Sequence, residues 1–169
     1  KFSLPSLKEL EGILNKTSEL GINFLDTAPA YGSSEVRIGR VLRDRSDWII
    51  STKVGEEFAN GQSSFNFSGR HALKSVQRSL KNLKTDYLDI VLVHSNGDDE
   101  AIIDNTDCLE NLARLKEKGI IRAYGMSTKT IKGGIRAADL TDVVMVTLNL
   151  SNKDDMPVIK NAELKNKGV

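Results

Sequence analysis

The sequence predicts an α/β protein, about five β/α units of a (β/α)8 TIM barrel, and three observations carry that expectation. Five short apolar runs alternate with segments of helical periodicity, so every connection contains a helix, which implies parallel strands joined by crossovers. Asp26, Lys53, His94 and Ser127 each end a different apolar run. A barrel gathers the carboxyl ends of all its strands at one rim, so a single pocket would account for all four, with Tyr31 as a fifth member. Finally, the doubly wound alternative would more often carry a glycine-rich phosphate loop after an early strand, and no Gly-x-Gly-x-x-Gly occurs; Gly133-Gly134 stands alone.

Taken in order, Ser6 reads as an N-cap, and Leu7, Leu10, Ile13, Leu14 and Thr17 recur at helical spacing until Gly21 interrupts them. The stretch Gly21–Gly32 then organises the chain. Ile22, Phe24 and Leu25 are too few for a helix face and are bounded by Gly21, Pro29 and Gly32, so they read as a strand that ends in Asp26. A carboxylate there is costly to bury alone and needs a partner, and a proline-stiffened turn keeps Tyr31 nearby. Ser33-Ser34-Glu35 reads as a helix start, with Ile38, Val41 and Leu42 inward and Arg43 to Arg45 as a charged end.

Trp48–Val54 is the second strand, carrying Lys53 near its end. Residues Gly55–Phe67, with Asn60-Gly61 and several serines, are the longest breaker-rich stretch and are expected to form a surface loop. Ser68 caps a helix with Leu73, Val76, Leu80 and Leu83 on its inner face. Tyr87–His94 is almost continuously apolar, as a strand covered on both faces should be. A polar loop from Ser95 to Glu100 leads to a helix over Asn105–Lys118, stopped by Gly119. Ile120–Ser127 is the fourth strand, Gly133–Leu140 a short helix, Asp142–Asn149 the fifth strand, and Asp154–Lys167 a last helix closed by Gly168.

Composition narrows the function classes. The 169 residues suffice for one core, and 24 basic against 23 acidic residues leave a net charge of +1, without the basic surface that nucleic acid or an anionic membrane would require. The lone Cys108 cannot make an internal disulfide and sits at a helix position, which fits a reducing, cytoplasmic setting. No apolar run approaches the ~18 residues of a membrane span. The expected partner is therefore a small molecule, with no nucleic acid and no membrane.

Several stretches resemble the aldo-keto reductases, and the resemblance covers nearly the whole chain. Gly21–Gly32 is similar to the family's first motif, with Asp26 and Tyr31 at its aspartate and tyrosine. Ile50-Ser51-Thr52-Lys53 resembles its lysine strand, and Arg78 through His94 resembles its approach to the catalytic histidine. The resemblance implies reduction of an aldehyde or ketone by NADPH, with NADH not excluded. Asp26, Tyr31, Lys53 and His94 would be catalytic, and Asp26, Ser127, Thr128 and Met145 would lie at the cofactor.

The residue chemistry agrees. A carbonyl that accepts hydride needs a proton on its oxygen, which Tyr31 can give. A free phenol titrates near ~10, and a neighbouring cation such as Lys53 would lower that by ~1–3 units. Asp26 would hold Lys53, and His94 would orient the carbonyl. The cofactor positions depart from the family. Ser127-Thr128 stands where many members have Ser-Asn, and Met145 stands where many have a glutamine able to hydrogen-bond the carboxamide; Asn149 matches a common asparagine.

Those departures keep a second reading open, a regulatory protein of the same fold that binds nicotinamide nucleotide and turns over slowly or not at all. A barrel using phosphate or metal chemistry finds no support in ligand spacing. Against the family, the chain begins at the first helix and ends before the seventh and eighth strands. Residues 1–169 are therefore expected to be one barrel domain, incomplete at both ends, poorly soluble or oligomeric alone and weak in nucleotide binding. The carbonyl substrate and the oligomeric state are not encoded legibly.

Overall fold

The structure, a computed structural model, describes residues 3–42 and 44–169. The expected charged end at Arg43 thus lies partly outside the described residues. Helix α1 (Leu7–Glu19) opens with a capping box, in which Ser6 Oγ accepts the Glu9 N–H at 3.2 Å and Glu9 Oε2 accepts the Ser6 N–H at 2.7 Å. Strand β1 (Phe24–Asp26), helix α2 (Ser34–Val41) and strand β2 (Ile49–Val54) follow in the expected order.

The stretch expected to be a loop is instead an antiparallel hairpin, β3 (Glu56–Ala59) and β4 (Gln62–Phe65). Asn60 and Gly61, both at positive φ (53° and 79°), form the two-residue turn whose twist matches the flanking strands. The strand Gln62-Ser63-Ser64-Phe65 lacks an apolar alternation, so only the turn was readable as structure.

Helix α3 (Gly69–Leu83) buries Ala72, Ser75, Val76, Ser79 and Leu83 along one stripe, and Lys84 ends it in the left-handed conformation. Strand β5 (Leu88–His94) lies at the centre of the sheet: Leu88, Val91, Leu92 and Val93 are each at most 1% exposed, so both its faces are covered. The helix expected over Asn105–Lys118 is α5 (Cys108–Glu117), and a further short helix, α4 (Asp99–Asn105), precedes it, beginning within the stretch Ser95–Glu100 expected to be a loop. Thr106 between them is extended, which ends α4, and its hydroxyl donates to the Ile102 carbonyl at 2.7 Å.

Strand β6 (Ile121–Ser127), helix α6 (Ile131–Leu140), strand β7 (Val143–Met145) and helix α7 (Met156–Leu164) complete the order. Both β7 and α7 are shorter than expected. Gly168 is not a helix stop; it pairs in parallel with Val143 on the outer side of β7.

The five strands form one parallel sheet in the order β1-β2-β5-β6-β7. Ile50, Val91, Val93, Leu112, Ile121, Val144 and Val158 are among the buried side chains of the core between sheet and helices, each worth ~1.5–3 kcal/mol on burial. Gly125 is required by close approach, since a Cβ there would lie 1.7 Å from the Val143 carbonyl oxygen.

The sheet is curled. Phe24 of β1 and Val143–Met145 of β7 line one apolar cavity of about 400 Å³ with Ser51, Ile90 and Leu92, although the outer strands of a flat five-stranded sheet would stand roughly 19 Å apart. Among the described residues, no helix is long and apolar enough to cross a membrane.

Candidate active site

Strand register brings the expected residues to one face. Asp26 pairs with Ser51, Lys53 with Leu92, His94 with Ser127, and Ser127 with Met145. Side chains two apart on a strand share a face, so Asp26, Lys53, His94, Ser127 and Met145 all lie on the concave side near the strands' carboxyl ends.

Lys53 is the pivot. It is 1% exposed, and a buried ammonium is tolerable only if its protons are matched. Nζ donates to both carboxylate oxygens of Asp26, at 2.8 and 2.6 Å, and to the Thr27 carbonyl at 3.1 Å, which occupies all three donors. The turn after β1 then places Tyr31. The Tyr31 N–H donates to the Ala28 carbonyl at 3.0 Å, and Thr27 Oγ1 donates to Ser34 Oγ at 2.8 Å, closing the turn against the start of α2.

The Tyr31 ring lies 4.8 Å from Lys53 Nζ and remains 47% exposed. Its ring and that of His94 stand edge to face, with centroids 6.2 Å apart and planes at 89°. His94 Nδ1 is 2.7 Å from Glu56 Oε2, a short contact that is not aligned as a linear hydrogen bond. Burial holds the imidazole below its ordinary value of 6.5. Lys53 and Lys129 push the same way, while Glu56 and Asp26 oppose them.

Ser127 and Thr128 border a polar cavity of about 670 Å³ with Lys129, Thr147, Asn152 and Asp155. Thr128 is buried, and its N–H donates to the Met145 carbonyl at 3.1 Å. Met145, though paired with Ser127, lines the apolar cavity instead, so the expected grouping of Ser127, Thr128 and Met145 is divided between two cavities. Asn149 caps its own turn, accepting the N–H groups of Ser151 and Asn152 at 2.9 Å each.

Two contributors were missed in the sequence. Glu56, at the start of the hairpin, faces His94. Asp99, 1% exposed, accepts from the N–H groups of Lys129 and Thr130 at 3.0 and 2.7 Å, from Thr130 Oγ1 at 2.6 Å and from the Ser95 hydroxyl, so it fixes the turn that follows Ser127. The paired acids Glu56-Glu57 after a glycine were the available signal for the first; nothing local marked the second. Glu57, the second of those acids, lies 3.3 Å from Nε2 of His71, a residue outside every motif.

A buried lysine clamped by an aspartate, beneath an exposed tyrosine and beside a half-buried histidine, is a specific constellation. The family model of the aldo/keto reductases matches residues 5–169. The chain belongs to the aldo/keto reductase family. It is similar to the Bacillus subtilis oxidoreductase YqkF, 36% identical over 141 residues, covering 79% of this chain and 45% of that protein. It is similar to yeast (Saccharomyces cerevisiae) D-arabinose 1-dehydrogenase, 39% identical over 129 residues, covering 73% of this chain and 37% of the yeast enzyme.

A solved Pseudomonas aeruginosa structure assigned to the aldo-keto reductases superposes with a TM-score of 0.96 at 49% identity, covering 98% of this chain and 65% of that one. The aldo-keto reductase AKR11C1 of Bacillus halodurans gives 0.72 at 31%, covering 85% and 49%. This aldo/keto reductase chain thus spans less than half the length of the two curated relatives described above.

Proposed function

We propose that this chain contributes the catalytic residues of an NAD(P)H-dependent reductase that converts an aldehyde or ketone to an alcohol, with NADPH as the expected cofactor. The chain of contacts that joins Asp26 to Lys53, Lys53 to the Tyr31 ring and that ring to His94 at the sheet's carboxyl edge is the observation that carries the reading. The strands form five of the eight β/α units of a TIM barrel in this reading, and a cytoplasmic protein with a small-molecule carbonyl partner follows from it.

The polar wall at Ser127 and Thr128 fits a nicotinamide head. It offers hydroxyl and backbone groups on a turn that buried Asp99 holds still, beside a cavity large enough for a ring and its sugar. When bound there, reduced nicotinamide supplies the hydride that forms the new C–H bond. Everything else falls to the protein. His94 orients the carbonyl oxygen, and Tyr31 gives that oxygen the proton on its Oη as the C=O π bond breaks, later recovering one from solvent. Lys53, fixed by Asp26 and Thr27, places a positive charge against the tyrosine ring, where it stabilises the negative charge that develops as the proton leaves.

The test is direct. Loss of NADPH absorbance on mixing the protein with a nitrobenzaldehyde is the expected result. Nucleotide binding by titration with no absorbance change at any pH would instead establish the regulatory reading.

A further inference from the structure

One ring nitrogen of His94 is buried against a carboxylate, in a short contact that is not aligned as a hydrogen bond. Nδ1 is shut off from solvent against Glu56, and the two side chains are 17% and 16% exposed, so neither can turn freely to water. Glu56 is itself held. Its other oxygen accepts the Ser63 hydroxyl at 2.6 Å across the hairpin. The next residue, Glu57, points to the opposite face and clamps α3 through His71 and Arg78. A strand has one side chain per face at each step, so docking the hairpin through Glu57 presents Glu56 to His94.

We propose that Glu56 is a positioning residue that selects the tautomer of His94: the Nδ1 proton faces the carboxylate, so Nε2 is bare when the ring is neutral and carries a proton only when the ring is cationic. The consequence for catalysis rests on the reading of His94 given above, in which this ring faces the substrate oxygen. A cationic ring donates from Nε2 to a carbonyl oxygen. A neutral ring can only accept there, and the group it accepts from is the hydroxyl of an alcohol. Glu56 therefore makes His94 sort the two partners of one reversible reaction by pH, holding the carbonyl on the acid side and the alcohol on the alkaline side.

The surroundings set where the change falls. Glu56 from β3 and Asp26 from β1 favour the cation. Lys53 from β2, Lys129 from the turn after β6, and burial itself oppose it; the Tyr31 ring packs edge to face against the imidazole. Because the net effect lowers the group below 6.5, the carbonyl-holding form grows in as pH falls below that value. Removing the Glu56 charge should lower the midpoint further.

The chain has only two histidines, so long-range ¹⁵N–¹H spectra of the imidazoles resolve both, and His71→Gln assigns them. In the wild type at alkaline pH, His94 is expected in the Nδ1–H form. Glu56→Gln removes the charge and should reduce the protonation constant roughly threefold to tenfold. Glu56→Leu removes the acceptor as well and should switch the neutral ring to the Nε2–H form; aldehyde reduction by this variant should then lose its decline with rising pH through the His94 midpoint.

Glu57→Gln, which loosens the hairpin from α3 and leaves Glu56 intact, should leave the His94 tautomer as in the wild type, and a switch there would make the effect one of hairpin docking and overturn the assignment to Glu56. An Nε2–H ring in the wild type, or a tautomer unmoved by Glu56→Leu, overturns it too. The spectra need neither cofactor nor substrate. Their failure leaves the reductase reading standing, and an inactive protein with the expected spectra would defeat that reading alone.

Discussion

The two ends of the sheet contain the same ingredients, a carboxylate and a buried or half-buried cation, and put them to different uses. At the amino end, Asp89 is 6% exposed and accepts from Arg45 Nη2 at 2.6 Å, Arg122 Nη1 at 2.9 Å and the Ile50 N–H at 2.9 Å. The Tyr87 ring lies between the two guanidinium groups, 4.4 and 4.2 Å from them. The Asp89 carboxylate is answered from three directions, so this cluster ties β2, β5 and β6 together, although Arg45 Nε is buried without a partner. At the carboxyl end, Lys53 is equally well matched, but its field reaches a tyrosine that is half open to solvent and a histidine whose contact with Glu56 is short and out of line. The difference lies in what is left open: where the central carboxylate is buried under its partners the cluster stabilises, and where a reactive group is left facing space it can do chemistry.

The comparison can be broken most sharply at Tyr31. Tyr31→Phe should lower the rate of carbonyl reduction by ~10²–10⁴ while leaving the melting temperature and nucleotide affinity near wild type, as steady-state kinetics, a thermal melt and a nucleotide titration would check. Wild-type turnover in that variant would remove Tyr31 from the mechanism. At the other end, Asp89→Ala should do the reverse. It strands Arg45 and the Ile50 N–H, and because Arg122 is largely exposed and can return to water, the expected cost is at the low end for a broken buried pair, about 3 kcal/mol by denaturant unfolding. Activity per folded molecule should be retained; a large loss of activity at full stability would mean that the two ends are not separable. The smallest effect belongs to the exposed helix start. Ser6→Ala removes one half of the capping box and should cost ~1 kcal/mol, measured the same way, with no effect on kinetics.

Local physics made most of the sheet legible. Tyr87–His94 could be read as a strand because it is buried on both faces and so needs no alternation, and Ser6 and Ser68 could be read as caps because each is followed by a helical stripe. Asp26 and Lys53 could be paired through the resemblance to the family; Lys53 is the buried member of the pair, and Asp26, expected to need a partner on burial, is exposed. Features that depend on contacts distant in sequence were harder to read. The hairpin Glu56–Phe65 has a polar second strand, so its composition matched a loop, and the contact between Glu56 and His94 joins residues 38 positions apart. The short helix Asp99–Asn105 was hidden because it begins in a polar stretch that matched a loop, and the partners that hold Asp99, Lys129 and Thr130, lie far along the chain. Met145 was expected beside Ser127, and the two do pair on one face, yet Met145 lines the apolar cavity and Ser127 the polar one, a division that depends on the packing of the whole sheet.

The hairpin also carries an evolutionary consequence. Surface connections ordinarily accept insertions and deletions more readily than the elements they join. Here Glu56 and Glu57 serve opposite faces of a single strand, one reaching the histidine and the other the helix. Substituting either acid leaves the other on its own face of the strand. One residue added or lost between Gly55 and Glu57, however, would exchange the two faces at a stroke and send each carboxylate to the wrong partner. This stretch should therefore vary in composition among descendants of this chain while holding its length.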